Sequence, residues 1–310
     1  MPIASASLFV RSLNNKMKSS TTILITGATG FLGHHLCDYF RRKGYTVRGL
    51  VRHTHLYPFV EPGVTLYKGD LPDEVDETAF NGVDTVLHCA YTTHFTSKEK
   101  AYRVNHLGTL KVYGLSQKAK AGQFVFISST GAHADAESYY GKSKFALEQL
   151  MNPLKDLIIR PGLIIGPGNG GNFNRMKDSL RKLGIVPIFD GGHQVLQTIH
   201  VDDLCWAIDL ATAKRLTGLL VVAEPQGLEM RNFFKLLAAK LNKRCIFVSL
   251  PMDWVLRTLN IFEGLHIPFP LSSENLLGLK QMKHMPSEKD LAKLGLQVKS
   301  ADESIQICLT

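Results

Sequence analysis

A chain of 310 residues with 45% apolar content has room for one large α/β domain and a smaller second piece. Its net charge of +9 is not gathered in long blocks, so a site for anionic cofactors accounts for it more simply than a nucleic-acid surface. No apolar run reaches bilayer-spanning length, and the five cysteines (Cys37, Cys89, Cys205, Cys245, Cys308) form no CxxC pair, which argues against a membrane span, a zinc site or a disulfide framework and for a reducing, cytoplasmic setting.

Residues 1–20 contain serines and basic residues but no acid, a composition that suits a transit peptide. The simpler reading is a disordered extension, with Met17 as an alternative start. From Ile23 a short apolar run ends in the glycine-rich turn Thr26-Gly-Ala-Thr-Gly-Phe-Leu-Gly33, and a helical pattern starts at once. Gly27, Gly30 and Gly33 have the spacing of a dinucleotide-binding turn, in which the first glycine permits the tight turn, the second lets the backbone approach a pyrophosphate and the third lets helix and strand pack closely. The free N–H groups of the helix would face the phosphates.

Strands are predicted at Thr46–Val51, Val64–Tyr67, Thr85–His88 and Gln123–Ile127, with helices at Lys98–Ala121 and Tyr139–Met151. That alternation predicts an α/β chain: a Rossmann-type doubly wound parallel sheet, with ligands at the carboxyl ends of the strands. Gly162–Asn174, rich in glycine, proline and asparagine, reads as a long loop, and strand-like runs return at Ile185–Phe189 and Leu219–Ala223. Beyond Pro225 the chain turns helical and apolar, notably over Met252–Phe269. The organisation predicted is an extension at 1–20, a dinucleotide-binding domain at 21–225 with a substrate-side loop at 161–184, and a smaller, mainly helical substrate lobe at 226–310.

Tyr140 and Lys144 stand four residues apart in a predicted helix and so share one face. An ammonium beside a phenol favours the phenolate and suits proton transfer at a carbonyl. Tyr139 is a rival, but four residues beyond it lies Ser143. The hydroxyl run Ser128-Ser129-Thr130 follows a strand and offers groups that could bond a substrate oxygen.

With these motifs in order, the chain resembles an extended short-chain dehydrogenase/reductase, the superfamily that includes the NAD-dependent epimerase/dehydratases. The resemblance spans about residues 21–300. It is carried by the glycine turn, Gly69-Asp-Leu71, His88-Cys-Ala90, Asn105, Ser128-Ser-Thr130, Tyr140 with Lys144, Arg160-Pro161, Gly166-Pro-Gly168 and His200-Val-Asp-Asp203. It implies that Tyr140 is the general acid/base, that Lys144 holds the nicotinamide ribose and tunes Tyr140, that Thr130 orients the substrate, and that Asn105 is the asparagine of the central helix. It also implies cofactor contacts from Gly27, Thr29, Gly30, Phe31, Leu32, Asp70, Leu71, Ala90 and Pro161, besides Tyr140 and Lys144. Dimers through the helices holding Lys98–Ala121 and Tyr139–Met151 are common in such proteins.

Three positions refine the expectation. At the end of the second strand, where an acid would favour NAD(H), stands Arg52, with Arg48 nearby and His53 adjacent; a guanidinium pairs with a 2′-phosphate, so NADP(H) is favoured over NAD(H). Leu196 occupies the place where many sugar-nucleotide epimerases carry a diphosphate-clamping arginine, although Arg175 or Arg181 could substitute. Only nine residues separate Thr130 from Tyr140, shorter than is usual for sugar-nucleotide enzymes. These features favour a reductase or dehydrogenase acting on a less polar small molecule. The alternatives are a nucleotide-sugar epimerase or dehydratase with resident NAD, and a non-catalytic dinucleotide-binding protein. His34, His35, His53 and His55 lack partners at ligand spacing, so no metal is expected.

Overall fold

The computed structural model describes residues 21–54, 63–93, 97–265, 267 and 272–309; the extension at 1–20, His55 and Phe269 lie outside the described residues. The chain packs as two compact units, each drawn from separate stretches of sequence. The first holds the described residues up to Ile127 together with Asn152–Leu157 and Ile208–Gly218. The second holds Ser128–Met151, Ile158–Ala207 and the described residues from Leu219 onward. This division by packing splits the 21–225 segment between the two units, whereas 226–310 falls wholly within the second.

The elements in chain order are β1 (Thr22–Thr26), α1 (Phe31–Arg42), β2 (Thr46–Val51), β3 (Val64–Asp70), β4 (Glu74–Val75), β5 (Thr85–His88), α2 (Lys98–Tyr102), α3 (Gly108–Lys118), β6 (Gln123–Ile127), α4 (Tyr139–Glu148), β7 (Leu157–Pro161), β8 (Leu163–Ile165), α5 (Gly171–Leu183), β9 (Ile185–Phe189), β10 (Val195–Leu196), β11 (Thr198–His200), α6 (Val201–Ala213), β12 (Gly218–Val222), β13 (Leu228–Glu229), α7 (Met230–Lys240), β14 (Ile246–Leu250), α8 (Met252–Gly264), α9 (Ser273–Lys280), α10 (Glu288–Leu294) and α11 (Ala301–Leu309).

In the first unit the sheet runs β6-β5-β1-β2-β3-β4. Its strands are parallel except for the short β4, which turns back against β3. The central strands are apolar on both faces, with Ile23, Leu24, Ile25, Val86, Leu87, Val125 and Phe126 almost fully buried, as a sheet covered on both sides requires. Two tyrosine–aspartate bonds hold distant segments to this unit. Tyr113 on α3 donates to Asp156 at 2.6 Å, and Tyr45 donates to Asp209 at 2.6 Å. Burial and the facing carboxylate push the Tyr113 phenol up to about 12, and the same causes raise Tyr45.

Two readings are corrected. The helix expected over Lys98–Ala121 is interrupted: a π-helical turn at Arg103–Leu107 separates α2 from α3. The loop expected over Gly162–Asn174 contains β8, which pairs with β11, and the start of α5. In the second unit β9 pairs in parallel with β14, and β10 pairs with β13. An apolar cluster including Phe173, Leu180, Val186, Ile188, Phe233, Leu237 and Ile305 packs α5, α7 and α11 against these short sheets. Among the described residues no helix is long and apolar enough to cross a membrane.

Candidate active site

In the first unit, Gly27 ends β1 with φ +66°, and an added Cβ would lie 2.8 Å from the Ala90 Cα. A Cβ on Gly33 would lie 2.1 Å from the Gly27 carbonyl oxygen, so helix α1 can sit this close to the turn only with glycine there. Thr29 and Gly30 are exposed, and Phe31 and Leu32 are half-buried in the first turn of α1. Gly30 caps that helix without a side chain, and the first turn carries no acidic residue. The orphan N–H groups and the positive helix end therefore suit a pyrophosphate.

The neighbouring strand exits complete this half. Arg52 is exposed immediately after β2. Arg48 is engaged elsewhere: its Nη1 donates to the Ala79 and Asn81 carbonyls at 2.9 and 2.7 Å, and its guanidinium lies over the Tyr67 ring. Asp70 is exposed at the end of β3, whereas Leu71 is buried. Ala90 donates its N–H to Thr26 Oγ1 at 3.1 Å. Asn105 is fully buried in the π-helical turn; its Oδ1 accepts from Thr92 N–H at 2.7 Å and its Nδ2 donates to Thr92 O at 2.9 Å. Its amide is thus used to hold the segment after β5.

The second unit carries the residues expected to transfer the proton. Ser138 caps α4 by accepting from Gly141 N–H at 3.2 Å, and the Glu274 carboxylate accepts the Tyr139 N–H at 2.5 Å. The start of α4 is therefore fixed by its own cap and by α9. Tyr140 is half-buried, and Lys144, one turn on, is 4% exposed. Ser129 bonds the Tyr140 hydroxyl through its side chain and accepts from Gly131 N–H at 3.1 Å. Burial raises the Tyr140 phenol above its ordinary value, and the Ser129 bond opposes that shift. The expected net direction was downward. The hydroxyl that bonds Tyr140 is thus Ser129, a neighbour of Thr130, the residue expected to orient the substrate. Thr130 donates its N–H to the carbonyl of buried Pro161 at 3.3 Å, which ties the hydroxyl run to the end of β7.

Two further motif positions are structural. Leu196 is buried in β10 within the apolar cluster. Asp203 accepts from Lys299 N–H at 2.8 Å and pairs with its ammonium. Among the described residues no group of three or more His, Cys, Asp and Glu side chains could hold a metal ion.

The model of a protein family described as "NAD dependent epimerase/dehydratase family" matches residues 23–220. Ceramide reductase of Caulobacter vibrioides (strain NA1000 / CB15N) is 32% identical over 186 residues, which are 58% of this chain and 57% of that one. The decarboxylating sterol-4-alpha-carboxylate 3-dehydrogenase of Mus musculus is 26% identical over 217 residues, covering 62% and 59%. The chain thus spans under three fifths of the length of these two curated relatives. Among solved structures, MoeE5 in complex with UDP-glucose and NAD shares the fold with a TM-score of 0.72 at 19% identity, over 93% of this chain and 97% of that one.

Proposed function

Because the chain belongs to the NAD-dependent epimerase/dehydratase family, we propose that it is an oxidoreductase that interconverts a carbonyl and an alcohol on a weakly polar small molecule, using NADP(H) in preference to NAD(H). The observation that carries the reading is the Tyr140 hydroxyl bonded to Ser129, with Lys144 buried one helical turn away. The bound cofactor supplies or accepts the hydride. Tyr140 gives its proton to the substrate oxygen in reduction and takes it back in oxidation. Its raised pKa keeps it protonated at neutral pH, which suits the reductive direction. Ser129 and Thr130 orient the oxygen. Lys144 holds the nicotinamide ribose, as the family resemblance implies, and the glycine turn at Gly27–Gly33 takes the pyrophosphate. Arg52, exposed and basic where an acid would select NAD(H), supports the NADP(H) preference.

The weakly polar substrate is supported by Leu196, buried in apolar surroundings where a diphosphate-clamping arginine would stand in a sugar-nucleotide enzyme, and by the ceramide- and sterol-named relatives. In the same reading residues 226–310 shape the substrate side, supported by the Glu274 contact to the start of α4. The scattered cysteines support a cytoplasmic location.

A panel of apolar ketones and aldehydes, followed by NADPH and NADH absorbance, tests the reading. NADPH oxidation that depends on Tyr140 is the expected result. Turnover confined to UDP-sugars without net cofactor consumption would replace it with the epimerase alternative.

A further inference from the structure

The parallel pair β9–β14 has one face packed along its length, while the other is packed only at its carboxyl end, where Phe189 and Leu250 join the cluster of α8 and α9, and is exposed over its amino-terminal half. Its register sets Ile246 beside Ile185, Phe247 beside Val186 and Val248 beside Pro187. Alternation along a strand then divides the side chains. Val186 and Ile188 are buried in the second unit's core, and Phe247 packs against it. Ile185, Pro187, Ile246 and Val248 form a two-by-two apolar array on the other face, with Ile185 49% and Ile246 64% exposed. Such a face on a two-stranded sheet is costly to leave in water.

Charge surrounds one end of this array. Both strands start at the same end, because they are parallel. Arg181, Lys182 and Leu183 close α5 just before β9, and Lys243 and Arg244 lie just before β14. Gly184, which caps α5 with φ +62°, accepts the Ile246 N–H at 2.9 Å, and its Cβ position is 3.6 Å from the Arg244 carbonyl oxygen. The two basic pairs are thereby brought together beside Leu183, which is 67% exposed. All four cations are exposed.

We propose that this face docks on the surface of an anionic lipid bilayer, with Leu183, Ile185, Ile246 and Val248 entering the interface and Arg181, Lys182, Lys243 and Arg244 among the headgroups. An apolar patch flanked by cations is the chemistry of peripheral membrane contact. Each basic residue at an anionic surface strengthens binding about fivefold. A second copy of the chain fits the face less well. Two five-residue strands give a footprint on the order of 200 Å², far below the ~800 Å² per partner of a stable interface, and a symmetric pair would bring both cationic clusters into one small contact region.

Vesicle co-sedimentation of the full chain tests the proposal, using phosphatidylcholine with and without phosphatidylglycerol. Binding is expected only to the anionic vesicles and should weaken as salt rises. The double variant Lys243→Glu/Arg244→Glu should weaken it at least tenfold, and Ile246→Gln/Val248→Gln should also weaken it. Circular dichroism and the melting temperature should be unchanged, because all four positions are exposed. Absence of binding to anionic vesicles would overturn the proposal, as would binding indifferent to both variants. A dimer that Ile246→Gln/Val248→Gln converts to monomer would reassign the face to self-association.

Discussion

Arg160 on β7 grips Glu148 on α4 with two nitrogens, Nε to Oε1 at 2.9 Å and Nη2 to Oε2 at 2.5 Å. The same carboxylate accepts the Ser128 hydroxyl, and Glu148 is 4% exposed. Glu148 continues the helical face of Tyr140 and Lys144 by one more turn. One buried group therefore ties α4 to the strand that ends at Pro161 and to the start of the hydroxyl run. Removing one partner of a buried ion pair costs about 3–5 kcal/mol, because the other charge is left uncompensated. Glu148→Gln should lower the urea midpoint by an amount equivalent to several kcal/mol. An unchanged midpoint would show that the pair does not hold the helix.

Tyr140 should be the chemical centre. General acid/base catalysis contributes about 10²–10⁴-fold, so Tyr140→Phe should lower turnover by that much with little effect on cofactor affinity. Lys144→Ala should damage both, and Tyr139→Phe should be mild. Comparing Ser129→Ala with Thr130→Ala decides which hydroxyl serves Tyr140; the observed bond predicts the larger loss for Ser129. The sign of the pH effect follows from burial. A raised phenol pKa keeps Tyr140 neutral through and beyond the ordinary tyrosine value of about 10. Ultraviolet difference titration of the wild-type chain against Tyr140→Phe should show no phenolate from this residue at neutral pH. Ionisation near pH 7 would contradict that assignment.

In the proposed function the NADP(H) preference rests on Arg52. A charge-assisted bond to a 2′-phosphate is worth about 1.5–3 kcal/mol, or roughly ten- to hundred-fold. NADPH should bind more tightly than NADH by that factor, and Arg52→Ala should erase most of the difference. Arg48→Ala should instead lower stability, because it removes two bonds to the Ala79 and Asn81 carbonyls. Equal affinities in the unaltered chain, measured by fluorescence titration, would sink the NADP(H) preference.

Much of the scaffold was legible because local pattern and tertiary role agree. Thr46–Val51, Thr85–His88, Gln123–Ile127 and Ile185–Phe189 stand as strands with the bounds read from their apolar runs. The π-helical turn was not legible, since it accompanies the bonding of Asn105 to Thr92, a contact between segments that no helical propensity records. Strand β8 is three residues long and exists by pairing with β11, more than thirty positions away. The choice between Ser129 and Thr130 turns on the path of the chain after β6, which adjacent hydroxyl residues leave open. The tyrosine's pKa direction depends on burial, and helical spacing with Lys144 says nothing of that.

His88 offers the last test, because it joins two motifs that the sequence showed only side by side. Its Nδ1 lies 2.8 Å from Thr26 Oγ1, and its Nε2 lies 2.9 Å from Thr109 Oγ1. The Thr109 hydroxyl donates to the Asn105 carbonyl at 2.5 Å, so its oxygen accepts from His88 Nε2–H, and Nδ1 is left to accept from the Thr26 hydroxyl. Thr26 in turn receives the Ala90 N–H beside the Gly27 turn. A buried chain of bonds thus runs from the glycine turn to Asn105, with the imidazole stacked against Phe124 and Phe126. In His88→Phe the ring stack is kept, while Thr26 loses its acceptor and Thr109 loses a donor. Leaving such groups unsatisfied costs about 1–3 kcal/mol. Urea unfolding should register that loss, and NADPH affinity should fall with it, because Thr26 no longer has a fixed orientation at the turn. If stability drops and NADPH affinity does not, the imidazole serves packing alone; if neither changes, the chain of bonds has no energetic weight.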